Sequence, residues 1–382
     1  MSEQLTLFAT ATFGLESVVS RELKWLGFTE QNTHNGRIYF KGDYEAICKT
    51  NMWLRCANRI YLKVGEFKAE TFEELFQNTK ALPWEDFLPV DANFPVEGKS
   101  VKSKLFSVSD CQAIVKKAIV ERMKLFYNKE IFPETGSRYK IEVSILNDIA
   151  TLSIDTSGRS LHRRGYREDV GSAPIKETLA AGLLLISRWK PDRALLDPMC
   201  GTGTIPIEAA LIGMNIAPGL NQSFDSEKWK QIDKSLWDKT REEARNSINH
   251  DANLRIYASD IDYFALKKAR EHAEQAGVAD KISFQKIDFR ETSSRFKYGF
   301  IITNPPYGER LYKDDDIEKL YKDMGNHFKT FETWSYYIIT PYNRFESLFG
   351  KKADKKRKLY NGNIRCDYYQ FYGPKPPFET KF

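Results

Sequence analysis

"RALLDPMCGTGTIPIEAALIG", residues 193–213, reads as a buried strand, a glycine loop and a helix in direct succession. The apolar run ends at Asp197, and Gly201 and Gly203 let the chain turn before the helical pattern begins. The alternation continues downstream. "RIYASDIDYFALKKAREHAEQAG" (255–277) is again strand then helix. Strands follow at "KISFQKIDFRE" (281–291) and "YGFIITNPPYGER" (298–310), then a helix around 315–330 and the strand "SYYIITPY" (335–342). This pattern predicts an α/β fold with a doubly wound parallel sheet, which binds ligands at the carboxyl ends of its strands. The polar motifs of this half of the chain all fall at such ends.

The glycine loop departs from both common phosphate-binding patterns, having neither GxGxxG nor GK[ST]. An ionised Asp197 would repel a pyrophosphate and favour a ligand bearing ammonium or sulfonium charge. Cys200, Gly201 and Gly203 complete the loop, its glycines letting a large ligand approach the backbone. S-adenosylmethionine has that charge pattern and no phosphates. A capped strand–helix turn would show the same residues, so the next strand ends matter. Asp260 closes "YASD", where a carboxylate can accept from two ribose hydroxyls. Asp262 already lies in the following turn. The separation from Gly203 is long because 214–254 is a polar, Trp-containing insertion. In "KIDF", Asp288 can accept from an adenine amino group, with Phe289 or Ile261 sandwiching the ring.

"IITNPPY" (301–307) ends a strand with two residues that cannot donate to a sheet ladder. An exocyclic amine (adenine N6, guanine N2 or a glutamine amide) must become pyramidal to attack a methyl sulfonium. Two acceptors must then hold its hydrogens. The Asn304 side-chain oxygen and the Pro305 carbonyl are such acceptors, held still by proline, and Tyr307 offers a face for a flat group to stack on.

The 382 residues suggest two or three domains, and 41% hydrophobic with 29% charged residues fits a globular chain. Five cysteines without a CxxC pair read as reduced thiols, and five scattered histidines lack a metal-binding spacing, so no metal is expected. No leader pattern or membrane-length apolar run is evident, so the expected location is the cytoplasm. A net charge of +6 is compatible with a polyanionic partner. Before residue 166, short strands and helices alternate without a glycine fingerprint, predicting a small α+β region of two sub-modules without a catalytic constellation. "KKADKKRK" (351–358) is a basic run before "LYNGNIRCDYYQFYG", read as a closing hairpin with an Asn-Gly turn.

Residues 166–373 resemble a class I S-adenosylmethionine-dependent methyltransferase of the amino-modifying kind. "SLHRRGYR" (160–167), "APIKETLAAGLL" (173–184), "LLDPMCGTGTIPIEAA" (195–210) and "YNGNIRCDYYQF" (360–371) resemble the bacterial THUMP-domain RNA guanine-N2 methyltransferases. "FATATFGLESVVSREL" (8–23) is similar to the opening of their N-terminal ferredoxin-like module. The resemblance implies a ferredoxin-like module at 1–65, a THUMP RNA-binding domain at 66–155 and a Rossmann-like catalytic domain at 166–382. It places Lys176 and Thr178 near the methionine end of the cofactor. It implies a structured RNA partner, large-subunit ribosomal RNA or alternatively transfer RNA. The expected state is a monomer. Adenine-N6 of DNA and a protein glutamine are alternative acceptors compatible with NPPY. RNA binding is expected on the N-terminal module, assisted by Arg163, Arg164 and Arg167 in "HRRGYR", whose guanidinium groups suit phosphate.

Overall fold

The computed structural model describes residues 4–34, 36–167, 175–307 and 314–377. The chain divides into two compact units, one made of Met1–Ala11, Val19–Leu161 and Gly219–Glu243, the other of Thr12–Val18, His162–Pro218 and Ala244–Phe382.

In the first unit the elements run β1 (Leu5–Ala11), α1 (Glu16–Trp25), whose first three residues lie in the other unit, β2 (Gln31–His34), β3 (Arg37–Gly42), α2 (Tyr44–Trp53), β4 (Ala57–Lys68), α3 (Phe72–Lys80), β5 (Val96–Val101), α4 (Val108–Tyr127), β6 (Ile141–Leu146) and β7 (Ile149–Asp155). Local chemistry sets several boundaries. Asp43 caps α2 by accepting the Ala46 N–H at 3.0 Å, and Thr71 with Glu74 forms a capping box at α3. Asn147 and Asp148 both have positive φ between β6 and β7, the requirement of a two-residue hairpin whose strands keep their twist. All strands share one seven-stranded sheet, ordered β2-β3-β1-β4-β7-β6-β5, in which only β5 and β6 run parallel. β4 pairs with both β1 and β7 and continues through position 65, its register against β7 shifting between Lys63 and Gly65.

Residues 219–243 also belong to this unit, although the sequence reading leaves them within the C-terminal half. The reason is packing. Trp229 stacks on Tyr139 with centroids 4.8 Å apart, its indole N–H donates to the Arg138 carbonyl, and Ser226 donates to the Thr156 carbonyl at 2.7 Å.

In the second unit the order is α5 (Glu177–Ser187), β8 (Leu195–Asp197), α6 (Thr204–Gly213), α7 (Lys234–Asn246), whose first turns lie in the other unit, β9 (Ile256–Asp260), α8 (Tyr263–Gln275), β10 (Ile282–Lys286), β11 (Phe300–Thr303), α9 (Asp314–Phe328), β12 (Ser335–Thr340), α10 (Phe345–Phe349), β13 (Lys355–Asn361) and β14 (Ile364–Phe371). The first two residues of "APIKETLAAGLL" lie outside the described residues, as do those after Tyr307 in "NPPYGER". The sheet order is β10-β9-β8-β11-β12-β14-β13. β8 to β12 are parallel, and β14 inserts antiparallel between β12 and β13. β8 has β9 on one side and β11 on the other, so the winding reverses there and opens a crevice at its carboxyl end. In the β13–β14 hairpin Asn361 pairs with Ile364, so the loop is Gly362-Asn363, one residue later than the Asn-Gly turn expected.

An aromatic core built from Tyr321, Phe328, Phe345, Phe349 and Phe371 holds α9 and α10 against β12 and β14. It requires Gly325, where an added Cβ would lie 2.0 Å from the Phe349 carbonyl oxygen. Gly325→Ala should therefore destabilise this unit by about 2–3 kcal/mol, as overpacking against rigid backbone does. Denaturant unfolding checks it, and an unchanged midpoint would refute the close approach.

Candidate active site

The crevice at the end of β8 is built by four segments: the loop after β8, the end of β9, the turn after β10 and the residues following β11. Leu196 lies opposite Ile301, which puts Asp197 opposite Ile302 and Asn304 two positions further along the neighbouring strand. On the other side Asp197 pairs with Ala258, and Asp260 with Lys286. Asp197, Asp260, Asp288 and Asn304 thus arrive at one end of one sheet, as the sequence reading expects.

The loop is tied down by its neighbours. The Gly201 N–H donates to Asp260 Oδ2 at 2.8 Å, the Cys200 N–H donates to the Ser259 carbonyl at 2.9 Å, and His272 Nδ1 lies 3.1 Å from the Thr202 carbonyl. Gly201 has φ +52°, and a Cβ there would meet nothing within 4 Å, so its face is open to a ligand. Gly203 has φ +82° and backs onto Ala269 of α8, so it shapes the start of α6 rather than facing the crevice. Cys200 is buried, and its thiol points to the Gly201 carbonyl at 3.7 Å. Its place in a ligand site is that of loop backbone.

Electrostatically, Asp197 stands apart from the other buried carboxylates of this unit. Asp197 is 1% exposed and has no ion pair among the described residues. Burial pushes its carboxyl up to about 7. Asp260 keeps lone pairs free beyond those taken by Gly201 and by the Asp262 N–H at 3.0 Å. Asp262 caps α8 through the Phe264 and Ala265 N–H groups, which accounts for it structurally. Asp288 caps a 3₁₀ turn at 289–291 and pairs with Arg290 at 2.8 Å.

Two expectations need correction. Phe289 is 4% exposed and packs edge-on against His327 and Phe328 in the core, because the Asp288 cap turns it inward; it offers no ring face to a ligand. Ile261 is 55% exposed, so its side chain is free to meet a flat ring. The second concerns "HRRGYR". Arg164 is 5% exposed and lies against Glu208, which also accepts from the Tyr166 hydroxyl at 3.1 Å. Arg167 binds Glu177 Oε1 at 3.0 Å and Thr204 Oγ1 at 3.2 Å. These guanidinium groups are engaged inside the second unit and are not presented to phosphate. Arg163 is exposed.

Sequence reasoning misses Glu177, whose carboxyl is raised by burial despite Arg167. It sits beside Thr178 at the first turn of α5, and Lys176 at the N-cap is exposed. Glu177 Oε2, Thr178 Oγ1 and Asn304 Oδ1 are buried and have no hydrogen-bond partner among the described residues. Buried polar atoms are rarely left unpaired. The open face of Gly201, the unanswered charge of Asp197 and these orphaned atoms fit a large polar ligand carrying positive charge.

A doubly wound sheet with an acidic, phosphate-incompatible glycine loop and a proline-bracketed amide acceptor is that of a class I methyltransferase, with S-adenosylmethionine as cofactor. The chain belongs to the family described as RMKL-like, methyltransferase domain, whose model matches residues 164–370. The RlmL ferredoxin-like domain matches residues 6–61 and the THUMP domain residues 69–155. The chain is 51% identical over 381 residues to "Putative RNA methyltransferase YpsC" of Bacillus subtilis (strain 168), covering 99% of each. It is 35% identical over 373 residues to "Ribosomal RNA large subunit methyltransferase K/L" of Psychromonas ingrahamii, covering 95% of this chain but 49% of that protein. The chain thus spans about half the length of that K/L relative. The crystal structure of SMU.472, described as a putative methyltransferase complexed with SAH, superposes with a TM-score of 0.94 at 46% identity, covering 98% of this chain and 100% of that one.

Two measurements test the cofactor site. If Asp260 accepts from the ribose, Asp260→Ala should weaken S-adenosylmethionine binding by about 1.5–3 kcal/mol; unchanged affinity by calorimetry would sink that role. Asp197 must be ionised to pair with a cation, and free protein holds the proton up to about pH 7. Binding therefore strengthens above that pH and weakens as pH falls through it. From pH 8 to pH 6 affinity should drop about tenfold, and Asp197→Asn should flatten the profile. A pH-independent parent protein would place Asp197 away from the cofactor's charge.

Proposed function

We propose that this protein methylates the N2 amine of a guanine in RNA, most directly large-subunit ribosomal RNA, acting as a cytoplasmic monomer. Asn304 Oδ1 carries the reading: a buried acceptor without a partner among the described residues, placed immediately before Pro305 and Pro306. The relatives supply the acceptor class, since YpsC has RNA and the K/L proteins have large-subunit ribosomal RNA in their names. A THUMP match at 69–155 fits an RNA partner. We assign the ferredoxin-like module to 1–65, the RNA-binding domain to 66–155 and the catalytic domain to 166–382, the first two sharing one sheet through β4.

The chemistry follows from the acceptor geometry. Bound S-adenosylmethionine supplies an electrophilic methyl group on a sulfonium. The guanine amine has its lone pair delocalised into the ring, and Asn304 Oδ1 with the Pro305 carbonyl draw its two hydrogens out of the ring plane. This exposes the lone pair. Tyr307 holds the flipped base by stacking, and its hydroxyl accepts from Asn361 Nδ2 at 2.8 Å. Burial pushes that phenol up to about 12, so it stays protonated and is no base. None is needed, because the nitrogen proton becomes acidic once methylated and leaves to water.

Asn304→Ala should lower turnover about a hundred- to a thousandfold while leaving cofactor affinity close to the parent's, because its contact strengthens as the amine becomes pyramidal. Tyr307→Phe keeps the ring and most of the activity, whereas Tyr307→Ala loses both. Mass spectrometry of nucleosides from ribosomal and transfer RNA, comparing a deletion strain with its parent, should show one N2-methylguanosine missing from large-subunit ribosomal RNA. Identical nucleoside profiles would overturn the proposal.

A further inference from the structure

The basic run at 351–358 has no part in the crevice, yet the hairpin that it opens reaches the acceptor residues. Asn361, last residue of β13, is the donor to Tyr307. Lys358 precedes it by three residues, about 10 Å of strand. Tyr360 lies between them, paired across the hairpin with Arg365.

Phe13 completes this surface. It is 59% exposed, and its ring meets Tyr360 edge-to-face at 5.7 Å. Lys358 Nζ lies 5.5 Å from the Phe13 ring and 5.6 Å from that of Tyr360. The loop bearing Phe13 is pinned. Arg357 donates to the Gly14 carbonyl at 2.9 Å and to Ser17 Oγ at 2.6 Å, and a Cβ at Gly14 would collide with the Lys358 carbonyl. A large apolar ring is thus held in water by specific bonds, which burial alone would not select. The cations beside it are unspent: Lys355, Lys358 and Arg365 are exposed and make no ion pair among the described residues, whereas Lys356 pairs with Glu346 at 2.7 Å.

We propose that the outer edge of the β13–β14 hairpin, with Phe13, Tyr360, Lys358 and Arg365, is a docking platform for single-stranded RNA flanking the target nucleotide. The inference rests on the proposed methylation of RNA. Aromatic faces accept bases of any sequence, and uncommitted lysine and arginine beside them follow the phosphates. An apolar protein partner suits the surface less well, because the Lys358 ammonium lies close to both aromatic rings. The Asn361–Tyr307 bond ties the platform to the residue that would stack on the target base, so docking and acceptor placement are coupled through one hydrogen bond.

The test uses full-length protein, a fluorescein-labelled single-stranded oligoribonucleotide for anisotropy, and large-subunit ribosomal RNA from a deletion strain for methyl transfer. Phe13→Ala should raise the oligonucleotide Kd and the RNA KM about five- to tenfold, and Phe13→Tyr should restore both. Lys358→Glu with Arg365→Glu should weaken binding further and flatten its salt dependence by about 1.4 in logarithmic slope, two phosphate contacts on single strands. Lys297→Glu with Lys329→Glu changes net charge equally at the amino ends of β11 and β12, opposite the site, and should alter neither value. Affinity for S-adenosylmethionine should match the parent's in every variant. Parental Kd and KM in both platform variants, or equal losses in the control pair, would overturn the platform. Platform-dependent binding without methylation of any RNA would instead overturn the proposed function and leave the platform standing.

Discussion

The bond from the Gly201 N–H to the Asp260 carboxylate, 2.8 Å long, holds the site in shape. It crosses from the loop after β8, where the winding reverses, to the end of β9. A hydrogen bond to a charged acceptor contributes about 1.5–3 kcal/mol, enough to select one loop conformation. The Cys200–Ser259 bond and the contact of His272 with the Thr202 carbonyl act in the same sense. The carboxylate that orders the loop is also the one expected to receive the cofactor's ribose, so the acceptor is oriented before the ligand arrives. Little conformational freedom is left to be lost on binding.

Beneath this loop lies an uneven distribution of charge. Glu208 is answered by Arg164 and the Tyr166 hydroxyl, and Glu177 by Arg167. Asp197 has no cation among the described residues, although it is as deeply buried. A lone buried carboxylate is costly unless it keeps its proton or acquires a positive partner. Its raised pKa is the first outcome and a sulfonium-bearing ligand is the second. Perturbed groups of this kind gather at functional sites, and here the ligand's charge can be inferred from the one that the protein leaves unanswered.

Much of this is legible in the sequence, for reasons specific to each element. The β8–loop–α6 unit announces itself because an apolar run, glycines and a helical pattern follow one another within twenty-one residues of chain (193–213). NPPY is legible because proline cannot join a ladder. Other features leave no such trace. β2 is a polar edge strand, "QNTH", and α10 is a five-residue helix, each too short to show a period. Arg164 and Arg167 mislead because a sequence displays a charge but not its partner: Glu208 lies 44 residues from Arg164. Phe289 misleads because the 3₁₀ turn that buries it has no hydrophobic period. Trp229 looks like part of an insertion, and only its stacking on Tyr139 reveals where 219–243 belongs.

The acceptor end of the crevice shows why rigidity had to come from two directions. In the proposed reaction a base leaves its stack at a cost of a few kcal/mol, and stacking on an aromatic face returns about 1–3. That return is realised only if the ring already stands where the base arrives, and a displacement of about 1 Å can cost a hundredfold in rate. Pro305 and Pro306 restrain the backbone on one side of Tyr307, but proline cannot orient the ring of the next residue. The Asn361 amide does so through the phenol oxygen, from a strand 54 residues further along the chain. In that reaction the prolines would place the acceptor oxygens and the hairpin the ring. β13 is an edge strand whose only ladder partner is β14, so in the proposed reaction a strand seated on the hairpin would bear on Tyr307 as well, coupling substrate docking to acceptor alignment without a moving lid.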